Sequence, residues 1–273
     1  MSTVHTLDTL RDSLPPTERM PLVFLGHGSP MNAIEDNAYS RAWSELGRKL
    51  PHPKAILVVS AHWMTRGTTL VDVSAMPRTI HDFYGFPQAL FDAEYPAHGA
   101  TDLAREVATL LASHHAETDD TWGLDHGAWT VLKYLYPGAD VPVFQVSVDM
   151  SRGLEHQLEI GRTLSQLRDR GVLILGSGNV VHNLRAMRFN GRPADFAIEF
   201  DALFAERLAE RDFAALADRP KLGSLLQMAH PTVDHYLPAL TIAGASDGRD
   251  DLTFMTSSID LGTVSMRSFV FHA

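Results

Sequence analysis

Continuous apolar runs dominate the pattern of hydrophobic and polar positions along this chain. Four of them are predicted to be buried strands: PLVFLG (21–26), AILVVSA (55–61), VPVFQVSV (141–148) and GVLILGSG (171–178). A strand that is apolar at successive positions is covered on both faces, which is typical of parallel sheets. Two segments near the C-terminus, LTFMTS and TVSMRSFVF, alternate with polar residues and are predicted to be further strands.

Amphipathic stretches separate these runs and predict helices over 38–50, 100–115, 151–171 and 195–216. In the third stretch, Ser151 is a plausible N-cap and Gly171 a stop signal. Strands that alternate with helices predict an α/β fold, in which helices cover both faces of a central, mostly parallel (mixed) sheet. No repeat or Gly/Ser linker divides the chain. We therefore expect an N-terminal extension over 1–20 and a single domain over 21–273.

Composition narrows the classes of protein to be considered. The formal net charge of −10 argues against nucleic acid or an anionic membrane as a partner. The absence of cysteine excludes disulfides, thiolate metal sites and a cysteine nucleophile. The polar N-terminus lacks the apolar core of a signal peptide, and no apolar run approaches the length of a membrane span. We expect a soluble, cytoplasmic protein that is a monomer or a small homo-oligomer.

The 14 histidines are the unusual feature, because several of them share one context. His27 follows the first predicted strand, His62 the second and His182 the fourth, each in a loop rich in small residues. The carboxyl ends of the strands of such a sheet form the crevice where ligands bind. His235, placed in the first turn of a helix predicted to start at 231–232, and His126, between glycines, are further candidates. A single histidine at a strand end is more often structural, but three such ends predict a shared metal or catalytic site.

Other chemistries lack their usual signatures. There is no HExxH motif, EF-hand loop or P-loop. GHGSPM is not a nucleophile elbow, since proline follows Ser29, and GSGNVV is not a dinucleotide-binding fingerprint. A ligand set scattered along the chain would have to be assembled by the fold itself. His81 and His230 are expected either to line the same cleft or to pack within the core.

Seven ordered motifs then resemble one known family. FLGHGSPMN, VVSAHW, TIHDFYGFPQALF, YPA, WGLDHGAW, GSGNVVHNL and PTVDHYLPAL resemble the 4,5-DOPA extradiol dioxygenases. These belong to the class III extradiol ring-cleaving dioxygenases, alongside the catalytic subunit of protocatechuate 4,5-dioxygenase. The resemblance covers nearly the whole chain after residue 20, so the expected domain over 21–273 would be catalytic.

The resemblance implies one divalent metal ion, Fe(II) in active enzyme and zinc as an alternative in isolated protein. The matching metal ligands are His27, His62 and His235. His182 matches the acid/base histidine, which some descriptions count among the ligands, and His126 matches a histidine that contacts substrate. Candidates for further substrate contact are Ser29, Trp63, His81, Asn179 and His230. Ser177 and Asn179 are expected to orient ligands.

The expected reaction inserts both atoms of O₂ into a catechol such as DOPA and gives a ring-opened semialdehyde. His182 would move the protons, with a pKa near the ordinary 6.5. Aromatic residues beside the motifs would either stack on the substrate ring or pack as core: Trp63, Phe83, Tyr84, Phe86, Trp122 and Trp129. An all-histidine ligand set also resembles the open His₃ zinc site, so a zinc-dependent hydrolase remains the alternative. A non-catalytic metal-binding protein is a second rival.

Overall fold

The computed structural model describes residues 19–189 and 191–272. The expected extension over 1–20 lies almost entirely outside these residues. An eight-stranded mixed sheet runs in the order β4-β3-β5-β2-β6-β1-β10-β7. Its strands are β1 Leu22–Gly26, β2 Ala55–Thr65, β3 Thr69–Asp72, β4 Ala116–Asp119, β5 Val143–Asp149, β6 Val172–Gly178, β7 Asp251–Thr256 and β10 Ser268–His272. Strands β8 Ile259–Asp260 and β9 Val264–Ser265 form a separate small ladder.

The four predicted apolar strands form the parallel centre of the sheet. β5, β2, β6 and β1 are paired side by side in parallel. β10 joins antiparallel to β1, and β3 antiparallel to β5, so the sheet is mixed at both sides. The predicted fold class is therefore confirmed. β3 and β4 are short strands that the sequence pattern did not identify.

Successive side chains of each central strand point to opposite faces of the sheet, so the hydrophobic core has two parts. In β1, Leu22 and Phe24 pack on one face of the sheet, while Val23 and Leu25 pack on the other. This explains the continuous apolar runs, because helices cover both sides. The helices are α1 Ala38–Lys49, α2 Gln88–Phe91, α3 Thr101–Leu110, α4 His126–Leu135, α5 Leu154–Leu164, α6 Asp195–Ala209, α7 Phe213–Ala217, α8 Arg219–Ala229 and α9 Leu237–Ala245.

Two of the predicted helices end early or divide at local backbone features. The stretch predicted over 100–115 becomes α3 and then a 3₁₀ turn over Ala112–His114, and His115 is left-handed with φ 56°. The stretch over 195–216 divides into α6 and α7 around Arg211, whose φ is 57°. A left-handed residue cannot continue a right-handed helix, so the chain changes direction at both points.

The starts of two other helices differ from prediction. The third helix begins at Leu154 behind Gly153, because the hydroxyl of Ser151 binds Asp149 Oδ1 at 2.7 Å instead of capping the helix. The helix expected to begin at 231–232 is α9, which begins only at Leu237, so His235 lies in the preceding turn. In this turn the carbonyl of His235 accepts from the backbone N–H of Asn179 at 3.0 Å, which joins the turn to the end of β6.

Candidate metal centre

Five histidines converge where the parallel strands end. His27 follows β1 directly, and His182 follows β6 after a short turn. His62 lies inside β2 rather than beyond it as expected, at the point where the pairing with β5 shifts between Val59 and Met64. The interrupted pairing of β2 with β5 lets the His62 ring turn toward the carboxyl ends of the parallel strands. His126 begins α4, and His235 precedes α9.

The rings of His27, His62 and His235 form a nearly equilateral triangle. Their centroids are 5.1 Å apart for His27 and His62, 5.3 Å for His27 and His235, and 5.0 Å for His62 and His235. Three imidazoles bound tetrahedrally to one ion, at metal–nitrogen distances of about 2.1 Å, would place their centroids roughly 5 Å apart. The spacing therefore fits three ligands of a single ion.

A hydrogen bond at Nδ1 fixes the orientation of the His27 ring. Ser177 Oγ donates its one proton to the carbonyl of Gly127 at 2.5 Å, so it accepts from His27 Nδ1 at 2.9 Å. The proton of His27 is therefore on Nδ1, and its Nε2 carries a free lone pair. Ser177 thus has the orienting role expected of it.

Carboxylates hold the other two rings in the same tautomer. His62 Nδ1 lies 3.2 Å from Asp82 Oδ2, and His235 Nδ1 lies 2.6 Å from Asp234 Oδ2. In each case Nδ1 donates to the carboxylate, so the proton of the neutral ring lies on Nδ1. Metal-binding histidines are commonly oriented in this way by a carboxylate or other acceptor at the second nitrogen.

The Nε2 atoms of His27 and His62 lie only 3.2 Å apart. With a proton on each Nδ1, the two Nε2 atoms need a cation between them, which is either a proton on Nε2 of His62, whose pKa is raised, or a metal ion. Tetrahedral coordination at about 2.1 Å places two nitrogens roughly 3.4 Å apart, close to the observed distance. The donor set therefore fits a divalent metal ion.

Two further histidines lie beside this triangle, His126 next to His62 and His182 next to His235. The His126 ring is centred 3.9 Å from His62, and the His182 ring stacks on His235 at 3.5 Å with an interplanar angle of 8°. One ligand atom from each of His27, His62 and His126 lies within 4.8 Å of the others, and the same holds for His182, Asp234 and His235. Both flanking rings are thus close enough to act on a molecule bound at the centre.

Asp82 connects two of the histidines and was not identified from the sequence. Besides His62, its carboxylate contacts His126 at both the backbone nitrogen (2.9 Å) and Nδ1 (3.0 Å). Burial alone would raise the pKa of Asp82, but the two histidines outweigh it and hold this pKa well below the usual range. Asp82 directly follows His81 in TIHDFYGFP, and the sequence contains no signal that distinguishes this carboxylate from an ordinary loop residue.

Burial sets the charge state of the rings. It lowers the pKa of His27 and His235 well below 6.5, and the neighbouring histidines lower it further. Burial, followed by repulsion from His230, lowers the pKa of His182 to about 3, so the expected value near 6.5 is wrong for the protein without a bound metal ion or substrate. For His62, burial is outweighed by Asp82, Asp125 and Asp234, which raise its pKa. Carboxylates thus make the centre attractive to a cation.

Glycines at two positions let the chain segments approach closely enough to form the centre. A Cβ atom added to Gly178 would lie 2.3 Å from the carbonyl oxygen of His235. One added to Gly127 would lie 2.6 Å from Ser60 Oγ and 2.9 Å from His62 Cδ2. Any larger residue would therefore displace His235 or His62.

The remaining candidates for substrate contact have other partners. Ser29 is exposed and caps a 3₁₀ turn by accepting from Met31, and the buried amide of Asn179 donates to Ser265 O at 2.8 Å. Trp63 points to the opposite side of β2 from His62 and stacks on Trp122 at 5.6 Å. His230 is buried and donates to Val180 O at 2.7 Å. Within the described residues, Asn179 Oδ1 and His230 Nδ1 are buried without a hydrogen-bond partner. Substrate contact by these residues therefore stays a prediction.

One aromatic group does adjoin the centre. Phe83 packs edge-on against His126 at 5.7 Å between centroids, with Phe86 and Phe91 behind it at 5.5 and 5.1 Å. His81 supports this group by contacting Phe83 at 5.7 Å and by bonding to Ala93 O at 2.9 Å. Tyr84 is 92% exposed at the tip of the same loop. Phe83 is therefore the aromatic side chain that connects this loop to the histidines.

Comparison with known proteins agrees with this fold and identifies the family. Residues 21–271 match the family described as the catalytic LigB subunit of aromatic ring-opening dioxygenase. The chain belongs to this family of metal-dependent dioxygenases, which confirms the predicted enzyme class and favours it over the zinc hydrolase.

Individual relatives are similar over almost their whole length. The chain is 44% identical to a 4,5-DOPA dioxygenase extradiol of Escherichia coli K12, over 95% of this chain and 97% of the relative. It is 36% identical to a protein of the same name from Beta vulgaris, over 91% and 95% of the two chains. A crystal structure of an uncharacterized Escherichia coli K12 protein superposes with a TM-score of 0.81 at 40% identity, covering 93% of this chain and all of the other.

Within the described residues, no helix combines the length and apolar character needed to cross a lipid bilayer.

Proposed function

We propose that this protein is an extradiol dioxygenase that opens the ring of a catechol such as DOPA, with Fe(II) held by Nε2 of His27, His62 and His235. The observation that carries the proposal is the pair of Nε2 atoms of His27 and His62, which face each other 3.2 Å apart, with the ring of His235 completing the triangle. The names of the relatives supply the substrate class.

The bound ion would supply Lewis acidity and one-electron redox chemistry. His126 lies next to His62 and His182 next to His235, so each ring could contact a substrate bound beside the three proposed ligands. A catechol has two adjacent oxygens, so it suits a site that presents both metal coordination positions and nearby hydrogen-bonding groups.

His182 is proposed as the group that accepts a proton from a catechol hydroxyl. With a pKa of about 3 before substrate binds, its ring is neutral and ready to accept. A catecholate formed beside it would raise this pKa by electrostatic attraction, so that the protonated ring persists long enough to return the proton later. The expected acid/base role therefore depends on the substrate's charge rather than on an ordinary histidine pKa.

His126 is proposed to orient the substrate. Since Nδ1 of His126 faces Asp82, its Nε2 is an acceptor and can receive a hydrogen bond from the second hydroxyl. Phe83, packed against the His126 ring, offers an aromatic edge to the catechol ring. Together these side chains would fix both the polar and the apolar parts of the substrate.

The test is oxygen uptake by the Fe(II)-loaded full-length protein with L-DOPA, protocatechuate and catechol, with mass spectra of the products after reaction under isotopically labelled O₂. The expected product carries a labelled atom in its new carboxylate and, before exchange with water, a second in its aldehyde. A methyl ether of DOPA, with one hydroxyl blocked, should not consume oxygen. A ring-opened product without any label, or turnover with Zn²⁺ that consumes no oxygen, would contradict the proposal.

A further inference from the structure

A second group of possible ligands lies away from the centre and shares no residue with it. His114 ends the 3₁₀ turn after α3, and His156 and Glu159 lie one turn apart on α5. One ligand atom from each of the three lies within 4.8 Å of the other two. The two imidazole rings are 5.4 Å apart between centroids, in the range expected for two rings on one tetrahedral ion.

The hydrogen bonds around His114 leave one of its nitrogens free to bind a cation. Thr163 Oγ1 donates its one proton to the carbonyl of Glu159 at 3.0 Å, so it accepts from His114 Nε2 at 3.1 Å. The His114 proton is therefore on Nε2, and Nδ1 carries a lone pair. His114 donates to the Thr163 hydroxyl just as His27 donates to the Ser177 hydroxyl. A hydrogen bond of this kind, from the nitrogen that does not bind the metal, is typical of metal-binding histidines.

His156 provides an independent indication of a missing partner. Its Nε2 is buried from solvent and has no hydrogen-bond partner within residues 19–189 and 191–272. A buried polar nitrogen without a partner is costly, so such an atom calls for a ligand. Burial lowers the pKa of both His114 and His156, which keeps both rings neutral and able to coordinate at neutral pH.

We propose that His114, His156 and Glu159 form a second site for a divalent transition-metal ion, best suited to Zn²⁺. Two neutral imidazoles and one carboxylate are a ligand set that zinc accepts, with water completing the tetrahedron. Glu159 is exposed, so the ion would be reached directly from solvent. The bound ion would join the turn that leads into β4 to the helix that follows β5.

The test counts zinc bound to the full-length protein. After chelation and dialysis against buffered Zn²⁺, wild-type protein is expected to hold two ions per chain by mass spectrometry. His114→Ala and His156→Ala should each hold one, and Glu159→Gln should weaken the second site at least tenfold. His98→Ala removes an exposed histidine elsewhere and should still hold two ions.

The double variant separates this site from the centre. In His62→Ala protein the centre is disabled, and one zinc ion should remain that is lost when His114→Ala is added. The proposal is overturned if wild-type protein binds one ion, or if the His114 and His156 variants retain two. Glu159→Gln changes an exposed side chain and can be tested even if a histidine variant does not fold. Unchanged zinc affinity in Glu159→Gln protein would also overturn the proposal.

Discussion

The sheet buries charged or ionisable groups at both ends of its parallel strands. The charges at the two ends are balanced in different ways. At the edge where the parallel strands begin, Arg168 and Asp250 are fully buried and joined by hydrogen bonds of 2.7 and 2.5 Å, and Arg168 also donates to Met20 O at 2.8 Å. The charge of Asp250 is balanced within the protein, since Arg19 and the backbone N–H of Asp247 also face this carboxylate at 3.7 and 2.9 Å. At the end where the strands finish, Nε2 of His27 and Nε2 of His62 face each other, and a shared proton or a metal ion would stabilise them. The first end is balanced by protein groups alone, and the second is the one at which we propose that a metal ion binds.

The largest expected effect comes from removing one member of the triangle. His62→Ala leaves two ligands, so we expect the protein to lose its central metal ion and all catechol-dependent oxygen uptake. The free energy of unfolding of the metal-free protein should change less than on breaking the Arg168 pair. Metal analysis, an oxygen electrode and urea titration would check this, and retained turnover would remove His62 from the centre.

Next in size is the loss of the proposed proton acceptor. His182→Ala should keep the central metal ion and lower kcat by about 10²–10⁴-fold, the range typical of a general acid–base group. Added imidazole should restore part of the activity. Wild-type turnover in this variant, or loss of the metal ion, would refute the assigned role.

At the opposite edge, Arg168→Met should act on stability alone. It leaves the Asp250 carboxylate buried without its main partner, at an expected loss of about 3–5 kcal/mol in the free energy of unfolding. The double variant Arg168→Met/Asp250→Asn should recover much of this loss, because no uncompensated charge remains. Metal content and turnover of folded protein should be unchanged; a change in either would show that the two edges are coupled.

Acid should destabilise the metal-free protein through the buried histidines. Burial lowers the pKa of His230 from 6.5 to about 4, so the unfolded chain takes up a proton first as the pH falls. The stability contribution is complete above about pH 6.5 and is lost as the pH falls toward 4, by about 3 kcal/mol for this residue. Urea titration across this window should show a smaller loss in His230→Asn protein. His62 has a raised pKa, so its protonation stabilises the folded protein as the pH falls and offsets part of this loss.

The smallest effect is expected at the carboxylate behind the ligands. Asp82→Asn removes the charge that faces both rings and replaces one of the two oxygens, Oδ2 facing His62 or Oδ1 facing His126, by an NH₂ group. Metal affinity or activity should therefore fall by roughly 10–100-fold. Asp36→Asn, which changes an exposed carboxylate paired with Arg41, is the matched control. Equal effects of the two substitutions would mean that Asp82 acts only through net charge.

The sequence was informative where one residue type at one kind of position carried the signal. His27, His62 and His182 could be predicted to converge, because parallel strands end at a common edge. The role of Asp82 could not be predicted, because the loop that carries it is brought next to His62 and His126 only by the folding of the chain. The late start of α9 was also hidden, since Pro231 and Thr232 are a plausible helix start that the close approach of Gly178 to His235 overrides. The roles of individual residues in catalysis remain predictions.

The wide separation of the three proposed ligands along the chain has a consequence for biosynthesis. Residue 235 leaves the ribosome 173 residues after residue 62. A nascent chain that has not reached residue 235 therefore lacks one of the three proposed ligands. Under the proposed function, all three side chains would hold the metal ion only after that residue has emerged and the strands have paired.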